Sequence, residues 1–371
     1  MSTAKGLEGI IVTETKITSL IDNQLSFVGY SIDDLIKYSS FEEVIYLLWY
    51  KRLPKKSELT DFKQKLFQNM ELPKEIYPHL ENMDLEKTHP MSILRSIISL
   101  LGAYDPADSL SYKDAQIEKA LRLQARIATV ITTFSRMRQG KEPVKPKEEY
   151  SYAENFLYML KGKPVAPLEV QAFDQALILH ADHELNASTF TARVCVATLS
   201  DLYSGITAAI GALKGELHGG ANEQVIKMLM EIGEVDQALP YIKEKIAKKE
   251  KIMGMGHRVY KKGDPRTKYL KEMSKKLTKR TGQEKWFQIS EIIEDYMKKE
   301  KDLPANVDFY SASMYHSMGI EHDLFTPIFA MSRTSGWIAH MFEQYDDNRL
   351  IRPRAKYVGP KNLDFIPISD R

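Results

Sequence analysis

The stretch Lys113-Asp114-Ala115-Gln116-Ile117-Glu118-Lys119-Ala120-Leu121, running on to Arg138, decides the fold class. Ile117, Leu121, Ala128 and Ile131 fall on one face of a helix, and Gly140 stands just past its end, where glycine commonly closes a helix. The same spacing recurs outward from it. Leu59, Phe62 and Leu66 follow an i, i+3, i+7 pattern, as do Met91, Leu94, Ile97 and Leu101. Ser40 and Glu43 form a candidate capping box ahead of the apolar segment Val44 to Tyr50. Ser188 to Leu213, rich in Ala, Thr, Leu and Ile, reads as a buried helix pair, and a helix from Asn222 to Ile232 is stopped by Gly233. Strand signals are confined to the N-terminus. Ile10 to Ile17 is β-branched, and Asp22-Asn23 between Ile17–Ile21 and Leu25–Val28 predicts one small hairpin. The chain is mainly α, without an internal repeat. Gln139 to Glu149 reads as a loop, and the lysine-rich run Lys243 to Lys251 as a solvated helix face leading into a glycine loop.

With 371 residues, 43% apolar and 27% charged, the chain can bury a substantial core. Lys plus Arg number 52 against 50 for Asp plus Glu. That balance does not suggest a nucleic-acid partner, although local arginines can still meet a small anion. The single cysteine, Cys195, rules out an intrachain disulfide and fits a reducing compartment. Met1 to Glu8 has no apolar signal region, and no stretch approaches the ~18 apolar residues of a membrane span. A cytoplasmic location, with no membrane partner, is the expectation.

Four constellations from residue 180 onward could carry chemistry. In His180-Ala181-Asp182-His183-Glu184, two histidines three apart on a helix would share a face and could hold a metal. One packed histidine and one bonded to backbone is the plainer reading, since no further ligand motif completes a metal site. Gly215-Glu216-Leu217-His218-Gly219-Gly220-Ala221-Asn222 places a histidine where backbone can approach a ligand closely, or where glycines only make a turn. The segment does not choose between them. Gly254-Met255-Gly256-His257-Arg258, leading to Asp264-Pro265-Arg266, lacks the preceding strand and third glycine of a dinucleotide fingerprint. It remains a loop with one histidine and two arginines suited to an anion. In Asn306-Val307-Asp308-Phe309-Tyr310-Ser311, a carboxylate among apolar neighbours could act as a base near neutrality, or simply cap a helix. Ser332-Arg333 and Arg352-Pro353-Arg354 add guanidinium groups. His218, His257 and Asp308 are separated by 39 and 51 residues, so sequence proximity cannot show that they meet.

In their order, these segments closely resemble the citrate synthase family across nearly the whole chain. The match runs from Gly29-Tyr30-Ser31-Ile32-Asp33-Asp34-Leu35 and Ser39-Ser40-Phe41-Glu42-Glu43-Val44 through the four constellations to Ser332-Arg333 and Arg352-Pro353. The resemblance implies a two-domain helical fold, with residues 219–325 as a small domain closing over 1–218 and 326–371. It implies condensation of acetyl-CoA with oxaloacetate and hydrolysis of the thioester. Asp308 matches the base, His218 the neutral histidine that bonds the enol oxygen, and His257 the residue that polarises the oxaloacetate carbonyl. His183, Arg266, Arg333 and Arg352 match the residues holding the oxo acid, with Arg352 reaching across from a partner subunit. Ile252, Met253, Gly254, Met255 and Gly256 match the segment that meets the CoA adenine. No metal or other cofactor is implied, and acetyl-CoA enters as a substrate. Two positions depart from the family pattern: Glu216 stands where Pro is frequent, and Met255 where an aromatic is common. The short chain also implies a homodimer without the NADH control of longer hexameric forms.

The nearest rival is a 2-methylcitrate synthase, because one methylene carries only ~1–3 kcal/mol of discrimination. A metal-dependent hydrolase built on His180, His183 and Glu184, and a non-catalytic helical scaffold, are more distant readings.

Overall fold

A computed structural model describes residues 5–7, 9–105, 112–257, 260 and 263–371. Arg258 and Val259, both part of the glycine-loop motif, lie outside the described residues. A small antiparallel sheet opens the chain: β1 (Thr18–Ile21), β2 (Gln24–Phe27) and β3 (Tyr30–Ser31), in that order. β1 and β2 form the expected hairpin, with Thr18 opposite Phe27. Asp22 and Asn23 both take positive φ, 53° and 61°, as a two-residue turn matched to strand twist requires. Two expectations need correcting. Ile10 to Ile17 forms no strand, since β-propensity without a neighbouring edge builds no ladder. The third strand, β3, was not expected.

Among the described residues the rest is helical. The first eight helices are α1 (Ile32–Tyr38), α2 (Phe41–Tyr50), α3 (Lys56–Gln68), α4 (Ile76–Glu81), α5 (Pro90–Ala103), α6 (Tyr112–Arg138), α7 (Tyr152–Lys161) and α8 (Pro167–His180). Then follow α9 (Ala187–Val196), α10 (Leu202–Leu213), α11 (Ala221–Ile232), α12 (Ala238–Ala247), α13 (Thr267–Arg280), α14 (Glu284–Lys301), α15 (Val307–Ser317) and α16 (Phe325–Asp346). Most sequence expectations hold: the long helix, the buried pair α9–α10, and α11 closed by Gly233. Ser40 caps α2, its hydroxyl accepting from the Glu43 amide at 3.4 Å. Residues 139–149 are loop once α6 ends, and the lysine run begins as the last turns of α12.

Two groups of helices, each gathered around one central helix, pack within a single continuous hydrophobic core. α16 is covered on nearly every side and packs against α2, α6, α8, α9 and α10. α15 plays the same part for α11, α13 and α14. Contacts of α13 with α8 and of α11 with α16 join the groups, and the candidate chemistry gathers along that seam.

One junction positions it. A helix leaves its last carbonyls without intrahelical donors, and α8 ends in the interior. α16 supplies those donors: Ser332 Oγ gives a hydrogen bond to Leu177 O (2.5 Å), Arg333 Nε to His180 O (2.8 Å), and the Gly336 amide to Ala181 O (3.1 Å). The approach is so close that a Cβ at Gly336 would lie 2.3 Å from Asp182 Oδ1 and 2.5 Å from Ala181 O. Gly336→Ala is therefore expected to destabilise the fold by about 1–3 kcal/mol through overpacking. Thermal unfolding of the variant checks this, and an unchanged midpoint would contradict the close approach.

Candidate active site

α8 stops at His180, and Asp182, His183 and Glu184 lie beyond it, with Glu184 at φ 51°. The expected shared helix face for His180 and His183 does not exist, because capture of the last carbonyls by α16 ends the helix there. His180 turns inward: its Nδ1 sits 2.7 Å from Ala176 O and its ring packs edge-on against Phe329. That is the packed-histidine reading. His183 turns the other way, its ring 5.2 Å from that of His257. Among the described residues no cluster of three His, Cys, Asp or Glu side chains is arranged to hold a metal ion.

His183, Arg266, Arg333 and His257 lie close enough to perturb one another electrostatically, as do Asp308, Arg266 and Arg333. His218 joins through Arg333. The structure thus brings together six of the predicted residues, the three catalytic candidates included. Arg352 stays out, exposed in the extended C-terminal tail of its own chain.

His218 occupies a turn just before α11 in which the amides of His218 and Gly219 both donate to Gly215 O. A Cβ at Gly219 would sit 2.1 Å from Leu213 O, so this glycine serves the turn rather than a ligand. The Ser188 amide donates to His218 Nε2 at 3.2 Å, and Ser188 Oγ lies 2.8 Å from the same nitrogen. A backbone N–H can only donate, so neutral His218 carries its proton on Nδ1. Trp337 Nε1 holds Ser188 Oγ in turn, at 3.1 Å. Burial, with Arg333 nearby, pushes the His218 pKa down to about 4, which keeps the ring neutral at physiological pH. By the same logic the Tyr260 amide, donating to His257 Nδ1 at 3.1 Å, leaves the proton of a neutral His257 on Nε2.

Asp308 lies in the first turn of α15, half-buried, but it is not the cap. Asn306 caps the helix, its Oδ1 accepting from the Asp308 amide at 3.0 Å. The carboxyl is left for chemistry. Burial pushes its pKa up to about 6; the negative charge of Asp264 adds to this, while Arg266 and Arg333 oppose it. Such a group is mostly ionised at neutrality yet basic enough to accept a carbon-bound proton.

The two arginines differ. Arg266 is neutralised by Asp264 through Nε (2.9 Å) and Nη2 (2.7 Å), while Asp264 also accepts from the Val307 amide at 3.2 Å. Burial alone would raise the Asp264 carboxyl, but Arg266 more than offsets this and holds it below the ordinary range. Arg333 lies over the face of Phe329, 4.6 Å from its centroid, and burial lowers it to about 10. A guanidinium this desolvated gains strongly from an anion.

Beside these groups lies a cavity of about 470 Å³ lined by Ile252, Met253, Gly254 and Met255, with Lys249, Lys251 and Lys301 on its walls. Gly254 has φ 76°, and a Cβ there would meet Phe309 and Val225 at 2.8 Å. Backbone bonds from Gly256 N to Pro304 O (2.7 Å) and from Asn306 N to Gly254 O (2.9 Å) tie this loop to the start of α15.

Residues 6–354 match the family described as "Citrate synthase, C-terminal domain". The chain belongs to the citrate synthase family. It is 62% identical over 371 residues to citrate synthase 2 of Bacillus subtilis, with 100% of each chain covered. A solved ternary complex of carboxymethyl coenzyme A and oxaloacetate with the citrate synthase of Thermoplasma acidophilum is similar at a TM-score of 0.94 and 34% identity, again over 100% of each chain. The 2-methylcitrate synthase of Mycobacterium tuberculosis is 41% identical over 358 residues, covering 96% of this chain and 90% of its own length.

Several supporting residues were not singled out in the sequence. Ser188 is one serine of a buried helix start, and only its contact with His218, 30 residues on, reveals its task. Asn306 had a readable signal, because Asn is as good an N-cap as Asp and stands two residues earlier.

The raised carboxyl has a measurable consequence. A pKa of about 6 against an ordinary 3.8 means the fold favours neutral Asp308. That stabilisation is full below about pH 4 and lost as pH rises through about 6. Asp308→Asn, permanently neutral, is expected to melt higher than the unsubstituted protein near pH 8, with the gap closing towards pH 4. A gap that is absent or widens on acidification would contradict the buried, proton-retaining carboxyl.

Proposed function

We propose that the chain is a citrate synthase that condenses acetyl-CoA with oxaloacetate and hydrolyses the product thioester to citrate and CoA. The observation that carries this is the placing around Arg333 of both Asp308, whose pKa is pushed up to about 6, and a neutral His218 whose tautomer is set by Ser188. A thioester α-proton is weakly acidic, so its removal needs a base and an oxygen-directed donor acting together. Asp308 takes a methyl proton while His218 Nδ1–H bonds the thioester oxygen. The resulting enol carbon attacks the oxo carbon of oxaloacetate. As the new carbon–carbon bond forms, His257 supplies its Nε2 proton to the developing alkoxide. Water then adds to the thioester carbonyl and CoA leaves as the thiol. His183, Arg266 and Arg333 hold the oxo acid, and Ile252 to Gly256 receive the CoA adenine. The protein's own side chains suffice for this chemistry, without a metal or other cofactor.

Residues 219–325 act as a small domain that closes over 1–218 and 326–371 and excludes water until condensation is complete. The active unit is a homodimer in which Arg352 enters the partner's pocket, consistent with its exposed place in the tail. A cytoplasmic location accords with the single free cysteine and with the lack, among the described residues, of any helix long and apolar enough to cross a membrane. The likeness to a 2-methylcitrate synthase keeps propionyl-CoA in view as an alternative substrate.

Thiol release with oxaloacetate, comparing acetyl-CoA and propionyl-CoA, tests the reading. A higher kcat/KM for acetyl-CoA is expected, rising with pH through about 6 and then levelling as Asp308 ionises. A propionyl-CoA preference would make it a methylcitrate synthase, and no release from either would overturn the reading. The shared site makes a separate prediction. Asp308→Asn and Arg352→Ala chains are each expected to be nearly inactive alone, but mixed dimers should regain activity by pairing an intact pocket with an intact Arg352. Failure to regain activity in verified hybrids would place Arg352 in its own chain's site or in neither.

A further inference from the structure

The mechanism above leaves the Tyr260 hydroxyl without a task. The residue is 2% exposed, and among the described residues its hydroxyl has no hydrogen-bond partner. Buried polar atoms are nearly always paired, so an orphan calls for an explanation. A second orphan adjoins it. His183 is 9% exposed, its Nε2 also lacks a partner, and its ring meets that of Tyr260 edge-on with centroids 5.4 Å apart. Two buried polar atoms, unpaired among the described residues, thus lie in touching rings; both feel the charge of Arg266, and His183 that of Arg333 as well.

Packing does not account for the oxygen. The Tyr260 ring lies 4.7 Å from the His257 ring at 35°, and its amide fixes the His257 tautomer. A phenylalanine would make both contacts without burying a polar atom. The hydroxyl has a use only if something polar comes to meet it. Burial raises its pKa, with Asp264 and Glu184 adding and Arg266 opposing, so it stays protonated and can donate. The ligand that best completes both orphans and both arginines is an oxygen-rich anion.

We propose that the Tyr260 hydroxyl donates a hydrogen bond to an oxygen of the bound oxo dicarboxylate, making it a further substrate-binding residue beside His183. This rests on the citrate synthase reading of the pocket. Tyr260 acts on binding rather than on proton transfer, so its loss falls on the oxo acid and not on the acyl-CoA.

The test uses the full chain and its Tyr260→Phe variant, with oxaloacetate binding measured by calorimetry alongside turnover. The variant is expected to bind oxaloacetate at least about tenfold more weakly, the scale of one hydrogen bond to a charged group. The KM for oxaloacetate should rise in step, with kcat and the KM for acetyl-CoA nearly unchanged. The unliganded variant should melt no lower than the unsubstituted protein, because an orphan has been removed. Binding within twofold of the unsubstituted protein would overturn the proposal, as would a lower melting point of the unliganded variant, which would mean the hydroxyl is already paired. Tight oxaloacetate binding without turnover in the unsubstituted protein would sink the catalytic reading and leave Tyr260 to be judged on affinity alone. No oxaloacetate binding at all would overturn both.

Discussion

The end of α8 lies in the interior, and its last carbonyl groups must find donors there. Everything at the candidate site follows from how that demand is met. α16 answers with Ser332, Arg333 and the bare backbone of Gly336, all within one turn. A helix buried on nearly every side would ordinarily be apolar throughout. Here one face must be polar to satisfy its neighbour, and that same face delivers Arg333 to the pocket. One turn further on, Trp337 holds Ser188, and Ser188 holds His218. The supports for Arg333 and for His218 therefore share a single helix.

Burial then sets the chemistry. It raises Asp308 and lowers His218, His183 and Arg333, each towards the uncharged form. Asp264 runs the opposite way because the Arg266 charge faces it and Arg266 donates two side-chain bonds and its own backbone amide. The result is a division of labour between two arginines. Arg266 has its charge matched and serves as a fixed wall between the α13 and α15 starts. Arg333 meets a carbonyl, an aromatic face and the more distant charges of Asp182 and Asp308, with no bidentate partner among the described residues, so its attraction for an anion is less fully spent.

Periodicity made the helices legible, since apolar spacing is a local property of the chain. α6, the α9–α10 pair and α11 were all readable on that basis. The stop after His180 was not, because the donors that end α8 come from about 150 residues away. A helical spacing of two histidines therefore looked plausible where no helix exists. The Asp308 reading was limited by competition within one motif: Asn306 and Asp308 both suit a cap, and only geometry shows which one leaves its carboxyl free. Ser188 meets His218 from 30 residues away and the Tyr260 ring meets His183 from 77 residues away, and no local pattern announces such contacts. The order of motifs along the chain supplied what spacing could not, by pointing to a family in which distant histidines and a carboxylate converge.

The stitching of the glycine loop to residues 304–306 has an evolutionary consequence. The wall of the cavity and the helix that carries Asp308 are joined by main-chain bonds, so they form one mechanical part. Backbone drift in the loop would carry Asp308 with it, and any selection on the position of that carboxyl thereby restrains the loop's path. Side chains are exempt. Met253 and Met255 can be exchanged for other shapes while the neighbouring Gly254 carbonyl and Gly256 amide stay bonded, so the cavity wall can diversify without displacing Asp308. Met255, whose side chain lines the cavity, is therefore a natural position at which to retune this surface.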